Sequence, residues 1–236
     1  MTPYAMLRSL VGSEMCIRDS DHSNYSKRVM ALDMVQVLDY LSVDKASVVG
    51  HDRGGRVAHR LARDHRDRVS SLSVIDICPT LDMYEQTSKD FATSYFHWFF
   101  LIQNAPLPED FIGRNPRLWQ NNSLGNSSGG FRFREKFEVY LEKFSPRENI
   151  HATCEDYRAS ATIDLKHDKE DLAKKIDIPI QVLWGEKGVI HKCFQPLQNW
   201  SKYTTKDVVG EALPSYHFIP EEIPKILDKK LKQFLK

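Results

Sequence analysis

The chain has 236 residues, enough for one sizeable domain or for a domain that carries an insertion. Hydrophobic residues make up 41% and charged residues 28%, and the net charge of +1 gives no indication of a nucleic-acid or membrane-surface partner. No apolar run approaches the roughly 20 residues of a membrane-spanning helix and no signal-peptide core opens the chain, so we expect a cytoplasmic protein. Four scattered cysteines favour reduced thiols over disulfides or a zinc site: Cys16, Cys78, Cys154 and Cys193.

The first twenty residues, MTPYAMLRSLVGSEMCIRDS, have neither helical nor strand periodicity. The character of the sequence changes abruptly at Ser20–Asp21. We therefore expect residues 1–20 to be a non-native or disordered leader, and the predicted fold begins at residue 21.

From there, helices and strands alternate. Apolar spacing predicts a helix over 25–41, and the apolar run at 46–50 predicts a buried strand. A second helical pattern over 57–62 follows a glycine-rich turn, and a second strand over 72–77 is stopped by Pro79. This alternation is typical of a parallel sheet built from right-handed crossovers, which is an α/β fold.

The alternation resumes near the C-terminus. A third strand is predicted over 180–184, a weaker one over 207–210, and a closing amphipathic helix over 221–235. The stretch 79–175 is instead rich in aromatic residues, which predicts a mostly helical cap with a flexible loop at 121–130. The predicted core thus comprises residues 21–78 and 176–236.

The strongest local motif is GHDRGGR, residues 50–56, between a predicted strand and a predicted helix. Its glycines suit a sharp strand-to-helix turn of the G-x-S-x-G kind, which holds a nucleophile at the edge of a sheet. Asp52 occupies the serine position. An aspartate is already ionised at neutral pH, so it can attack a saturated carbon directly and form an ester. This chemistry favours cleavage of a carbon–halogen bond or an epoxide over amide or lipid hydrolysis.

A base is then needed to activate the water that hydrolyses the ester. His217 follows the last strand, in the chain order nucleophile, acid, histidine. Asp76 or Glu186 can orient it, and we favour Asp76 because a carboxylate that ends an apolar strand needs a partner. The side chain of His51 is expected to point away from the site, and the remaining histidines to be surface or cap residues.

Arg53 and Arg56 lie on one side of the first helical turn after the nucleophile. Surface salt bridges are the ordinary explanation, but paired guanidinium groups also suit an anionic substrate, whose carboxylate they can clamp. In the cap, His97, Trp98 and Tyr157 are polar-tipped aromatics, which usually pack in a core. Their N–H and O–H groups are also suitable donors for a departing halide.

Several stretches together resemble the haloacetate (fluoroacetate) dehalogenases of the α/β-hydrolase superfamily: GHDRGGRVAHRLA, VIDICPT, FHWFFLIQNAPLPE, CEDYRASATID, VLWG and YHFIPEE. The resemblance runs in order from about residue 21 to the C-terminus. It implies an α/β-hydrolase fold with an inserted helical cap and a small halogenated carboxylate as substrate.

The resemblance also implies a role for each candidate residue. Asp52 would be the nucleophile, Asp76 the orienting acid and His217 the base. The substrate carboxylate would be bound by Arg53 and Arg56, and the halide by His97, Trp98 and Tyr157. The family needs no metal or organic cofactor and is often dimeric.

Two departures from the family matter. Its first strands and the loop that lines its oxyanion hole have no counterpart here, so we expect an unpaired hydrophobic edge on the sheet. Tyr216 also precedes His217 where the family usually has glycine, and its ring is expected to displace the histidine or narrow the pocket. The alternatives are an epoxide hydrolase, which has no use for paired arginines, and an inactive truncated hydrolase fragment.

Overall fold

The computed structural model describes residues 5–7, 22–127 and 136–235. Within them, five strands form one parallel sheet in the order β1-β2-β3-β4-β5. The strands are β1 (Ala5–Leu7), β2 (Ala46–His51), β3 (Val69–Ile75), β4 (Ile180–Gly185) and β5 (Val208–Leu213). Because all strands run in one direction, their C-terminal ends meet at one edge of the sheet.

Six α-helices accompany the strands: α1 (Lys27–Tyr40), α2 (Arg53–Asp64), α11 (Val189–Cys193), α12 (Pro196–Ser201), α13 (Ile219–Glu222) and α14 (Pro224–Phe234). Successive side chains of a strand point to opposite faces of the sheet. Val48 accordingly packs with residues of α1 and α2, whereas Val49 packs with residues of α13 and α14. Both faces of the sheet are therefore covered, which explains why β2 is apolar rather than alternating.

The described residues between β3 and β4 form eight further helices: α3 (Thr80–Glu85), α4 (Lys89–Ser94), α5 (Phe96–Phe100), α6 (Leu107–Arg114), α7 (Pro116–Ser127), α8 (Phe137–Phe144), α9 (Arg147–Ala161) and α10 (Ile163–Glu170). We refer to residues 80–170 as the insert. It has an apolar cluster of its own, made of Leu101, Ile112, Phe144, Ile150 and Cys154. The structure therefore gives this aromatic-rich stretch a helical architecture in its described part.

Buried ion pairs join the insert and the segment that follows it to α1 and α2. Lys27 lies 2.5 Å from Asp156, and Arg60 lies 2.5 Å from Asp171. Removing one partner of such a pair leaves an uncompensated buried charge, at a cost of about 3–5 kcal/mol. These pairs fix the position of the insert over the C-terminal edge of the sheet.

The predicted strands agree with β2 to β5 to within a few residues. Two predictions about local structure were wrong. The closing helix is broken at Ile223, because Pro224 lacks the N–H that a continuous helix requires and begins α14 instead. The loop predicted at 121–130 is helical as far as Ser127, where α7 ends, and the exposed Asn122 donates from Nδ2 to the carbonyl oxygen of Leu118 one turn earlier. Residues 128–130 lie outside the described residues.

The N-terminal segment contributes one described element. Ala5–Leu7 pairs in parallel with residues 48–50 of β2, so this stretch of β2 is not the unpaired edge that the sequence predicted. An exposed row of backbone N–H and C=O groups favours such pairing. The rest of the predicted leader lies outside the described residues.

Candidate active site

The turn between β2 and α2 is sharp and strained. Asp52, between the two elements, has φ 50° and ψ −123°, a conformation that costs a non-glycine residue energy. A side chain at Gly50 would place its Cβ 2.5 Å from the carbonyl oxygen of Gly54, so only glycine permits this approach of helix to strand. The carboxylate of Asp52 is thereby presented at the C-terminal edge of the sheet.

Three predicted site residues come together at this edge. Asp76 directly follows β3, and its Oδ2 lies 2.6 Å from Nδ1 of His217, while its Oδ1 accepts the N–H of Gly185 at 2.9 Å. Nε2 of His217 lies 3.8 Å from Oδ2 of Asp52. Asp76 is completely buried, whereas Glu186 is exposed to solvent. Asp76 is therefore the acid that contacts the histidine.

The three groups perturb one another's protonation. Burial raises the pKa of Asp52, but the neighbouring His217 outweighs this effect and lowers that pKa well below its ordinary value. Burial likewise lowers the pKa of His217, but Asp52 and Asp76 outweigh it and raise that pKa to about 10. Asp52 and Asp76 therefore favour the protonated form of His217 in the resting protein.

A cavity of about 460 Å³ opens above Asp52. The described residues that line it include five of the predicted site residues beyond the aspartate: Arg53, His97, Trp98, Tyr157 and His217. Burial lowers the pKa of His97 to about 4, so its ring is neutral at pH 7 and keeps one N–H donor. The remaining wall is largely apolar, including Leu101, Trp119, Leu124, Val139, Phe144 and Phe218. The cavity therefore brings residues with N–H and O–H donors together with a carboxylate.

The two predicted clamp arginines are in different environments. Arg53 lines the cavity, with its guanidinium carbon 4.8 Å from the centroid of the Tyr157 ring. Arg56 is not among the lining residues. Its Nη1 donates to the carbonyl oxygen of Cys78 and to Oγ1 of Thr80, at 3.1 and 2.9 Å. The guanidinium lies 4.7 Å from the Trp98 ring, behind the cavity wall.

Two histidine predictions were wrong. His51 does not point away from the site, because its Nε2 lies 2.8 Å from the carbonyl oxygen of His217 and its ring lines the cavity. His59 is neither a surface nor an insert residue. It is buried in the core against Trp200, with ring centroids 4.9 Å apart. Burial among neighbouring arginines lowers its pKa, so this histidine behaves as an uncharged packing residue.

Tyr216 does not disturb the histidine beside it. It is absent from the described cavity wall, and its ring lies toward Lys187, 5.9 Å from Nζ. Its N–H donates to Oε2 of Glu222 at 2.8 Å, which holds the backbone of the His217 loop. The expectation that its ring displaces His217 or narrows the pocket was therefore wrong, because the ring packs toward Lys187 while His217 keeps its contact with Asp76.

Sequence reasoning missed Tyr95. Its hydroxyl lies 3.5 Å from Nδ1 of His217, and the ring lines the cavity. Burial raises its pKa well above the ordinary value, so it keeps its proton. Its position two residues before His97 was a weak signal, because many aromatics of the insert have similar spacing.

A second group of polar residues lies away from this wall. Glu109, His151 and Glu155 each bring one potential metal-ligand atom to within 4.8 Å of the others. Arg158 already donates to both glutamates at 2.7 Å. A guanidinium thus supplies the positive charge at this point, and the cluster ties α6 to α9.

Among the described residues, no helix has the length and apolar character needed to cross a membrane. A parallel sheet with helices on both faces, a strained elbow and an acid–histidine pair at its C-terminal edge define an α/β hydrolase. A family model for the alpha/beta hydrolase fold matches residues 12–222, and the chain belongs to this family. The match begins within the predicted leader.

The most informative relatives are hydrolases. The chain is 37% identical to a fluoroacetate dehalogenase of Burkholderia sp. over 98% of this chain and 77% of the relative. It is 30% identical to a soluble epoxide hydrolase of Corynebacterium sp. (strain C12), over 90% of this chain and 74% of that protein. A solved structure from Nostoc sp. PCC 7120, assigned to the α/β hydrolases, matches 100% of this chain and 91% of its own, with 41% identity and a TM-score of 0.93. The resemblance to dehalogenases is thus confirmed, and the protein is a hydrolase.

Proposed function

We propose that the protein hydrolyses a haloacetate, with fluoroacetate as the model substrate, to glycolate and halide. The observation that carries the proposal is one cavity whose lining brings Asp52 together with a cation, Arg53, and three residues that have hydrogen-bond donors, His97, Trp98 and Tyr157. A guanidinium suits the carboxylate of the substrate, and neutral donors suit the departing halide. The similarity to the Burkholderia fluoroacetate dehalogenase supports the same substrate class.

In the first step, a carboxylate oxygen of Asp52 attacks the carbon that bears the halogen. The carbon–halogen bond breaks, the halide leaves with the electron pair, and an ester joins Asp52 to the substrate. Arg53 holds the substrate carboxylate, which aligns the carbon with the attacking oxygen. The donors opposite Asp52 replace water around the halide, which matters most for small, strongly hydrated fluoride.

Ester formation converts His217 into a base. Asp52 and Asp76 together raise the pKa of His217, and the ester removes the charge of Asp52. The pKa of His217 must then fall, so the imidazolium can lose its proton to solvent and the neutral ring can accept one from water. The oxygen of that water attacks the ester carbonyl carbon of Asp52. The bond from this carbon to the glycolate oxygen breaks, that oxygen takes the second proton of the water, and glycolate leaves as the Asp52 carboxylate is restored. Asp76 stabilises the imidazolium that forms again.

One turnover in ¹⁸O-labelled water tests this mechanism. Because water attacks the carbonyl carbon of Asp52, we expect the label in the peptide that contains Asp52 and not in the first glycolate released. Label in that glycolate alone would contradict an enzyme-bound ester. No halide release from any haloacetate would instead favour the inactive fragment. A cytoplasmic location and a homodimer remain predictions.

Epoxide hydrolysis is the second candidate, because two tyrosines of the insert, Tyr95 and Tyr157, line the cavity with Asp52. Two phenols can donate to the oxygen of an opening epoxide ring. The cationic Arg53 in the same cavity favours an anionic substrate instead. Saturation kinetics with styrene oxide, and none with fluoroacetate, would reverse our preference. A Tyr95→Phe variant that lost only epoxide turnover would support a secondary epoxide activity.

A further inference from the structure

We propose that Asp156, on helix α9 of the insert, is a positioning residue that orients the Arg53 guanidinium for the substrate carboxylate. The inference rests on the proposed function, since that function assigns the carboxylate of the substrate to Arg53. It adds a residue that itself lies outside the described cavity wall.

The carboxylate of Asp156 is shared between two cations. Its Oδ2 pairs with Nη2 of Arg53, and its Oδ1 accepts a hydrogen bond from Nζ of Lys27 at 2.5 Å. Asp156 and Lys27 are 2% and 3% exposed, so solvent screens these contacts little. Because each oxygen is bound by a different cation, the carboxylate cannot rotate freely. It therefore gives Arg53 a fixed reference point in the insert.

Lys27 binds one carboxylate oxygen of Asp156, so the other oxygen is the one that pairs with Arg53. Nζ of Lys27 also lies 3.3 Å from Oγ of Ser160 and 3.6 Å from Oδ2 of Asp164, and its backbone N–H donates to Oδ1 of Asp164. Because Arg53 meets Asp156 through Nη2, other N–H groups of its guanidinium are left to be offered to a ligand. Oriented N–H donors beside a fixed carboxylate provide a site for a second carboxylate.

In the absence of Asp156, Arg53 would have another carboxylate to pair with, that of Asp52. The charges of Asp156 and Asp52 both raise the pKa of Arg53 against the lowering effect of burial, which means that both anions attract the guanidinium. Without Asp156, we expect the guanidinium to turn toward Asp52. The guanidinium would then pair with the Asp52 carboxylate and would no longer be available to bind the substrate carboxylate. The Tyr157 ring packs against the guanidinium, with its centroid 4.8 Å from the guanidinium carbon.

A double-mutant cycle tests the proposal with fluoride release from fluoroacetate as the readout. We expect Asp156→Asn to lower kcat/KM by about tenfold or more, and to cause no further loss once Arg53→Met is present. Additive losses would overturn the proposal, because Asp156 would then act independently of Arg53. Asp164→Asn is the matched control. It removes the other buried carboxylate beside Lys27, keeps an acceptor for its N–H and does not contact Arg53, so we expect kcat/KM within about twofold of the parent.

Loss of fold must be separated from loss of orientation. If Asp156→Asn does not give a cooperative thermal transition, the double variant Lys27→Gln/Asp156→Asn removes both charges of the pair and replaces it in the cycle. The same non-additivity with Arg53→Met is expected, and additivity again overturns the proposal.

Binding of acetate, followed by ligand-observed NMR, separates failure of this inference from failure of the proposed function. If the parent protein releases no halide, the proposed function fails, but weaker acetate binding in both Arg53→Met and Asp156→Asn still supports the inference. Acetate binding that depends on Arg53 and is unchanged by Asp156→Asn overturns it.

Discussion

The two walls of the cavity are built in different ways. On the sheet side, Asp52 and Asp76 follow directly on strands and both have positive φ, 50° and 53°. On the insert side, His97 and Tyr157 come from helices α5 and α9 and meet through packing, with ring centroids 5.8 Å apart. The groups proposed to react are therefore fixed by local backbone geometry, whereas the groups proposed to bind the substrate depend on how the insert folds over the sheet.

The largest expected effect is on the sheet side. We expect Asp52→Asn to lower kcat for halide release by about 10⁴-fold or more, because an amide is a poor nucleophile. A fluoride electrode gives the measurement. Glu186→Gln is a matched control at the end of β4, where the side chain is exposed, and it should retain kcat within about twofold. An equal loss of kcat in both variants would mean that Asp52 contributes no more to the reaction than another carboxylate at the end of a strand.

His217→Asn should prevent hydrolysis of the ester on Asp52 while still allowing the ester to form. We expect kcat to fall about 10³-fold and an ester to accumulate on Asp52, since no base remains to activate water. Intact-mass spectrometry should detect the added carboxymethyl group, and peptide mapping should locate it. Substrate that binds without forming the adduct would contradict the assignment of Asp52 as nucleophile.

Arg53 and Arg56 lie within one helical turn, but Arg53 lines the cavity and Arg56 is bound to Cys78 and Thr80. We expect Arg53→Lys to raise KM for fluoroacetate about 10- to 30-fold, since a lysine cannot reproduce a planar pair of donors. Arg56→Lys should change KM by less than about threefold but lower the free energy of unfolding by about 2 kcal/mol, because buried hydrogen bonds to Cys78 and Thr80 are lost.

Steady-state kinetics and urea unfolding measure these two quantities. The reverse pattern, with Arg56→Lys impairing KM more than Arg53→Lys, would mean that Arg56 reaches the substrate. In that event the guanidinium must leave its contacts with Cys78 and Thr80 when the substrate binds.

Stability should depend on pH through His217. Its pKa is raised from 6.5 to about 10, so its contribution to stability is fully present below pH 6.5 and is lost as the pH rises through about 10. We therefore expect the difference in Tm between the parent and His217→Asn to be largest near pH 6 and to shrink toward pH 10. A difference that is constant with pH would indicate that the imidazolium does not stabilise the fold.

The smallest effect is expected at Tyr216. Its ring lies toward Lys187 and outside the described cavity wall, so Tyr216→Gly should leave kcat/KM for fluoroacetate within about twofold. Tyr95→Phe is the variant whose kcat/KM is compared with that of Tyr216→Gly, because it removes a hydroxyl that lies 3.5 Å from Nδ1 of His217. If Tyr216→Gly raised activity strongly, the tyrosine would be restricting the site as the sequence suggested.

Much of the core could be predicted because its signals are local. The apolar runs that became β2, β3 and β4, and the glycines at 50–55, depend on neighbours in the chain. Asp76 was the better candidate acid because a carboxylate at the end of an apolar strand requires a partner, and the structure supplies His217 at 2.6 Å. Pro224 also indicates a break in the closing helix, but the amphipathic pattern continues across this proline and therefore predicts one helix.

The α/β class, the elbow that presents Asp52 and the residue types suited to its proposed chemistry could be read from the chain alone. The directions of the side chains emerged only from the folded protein, in which Arg53 lines the cavity while Arg56 lies behind Trp98, His51 turns toward His217, and Asp156 joins Arg53 to Lys27. A strand end or a tight turn is specified by adjacent residues, whereas the direction of a long charged side chain is set by whichever distant partners the folded chain brings within reach.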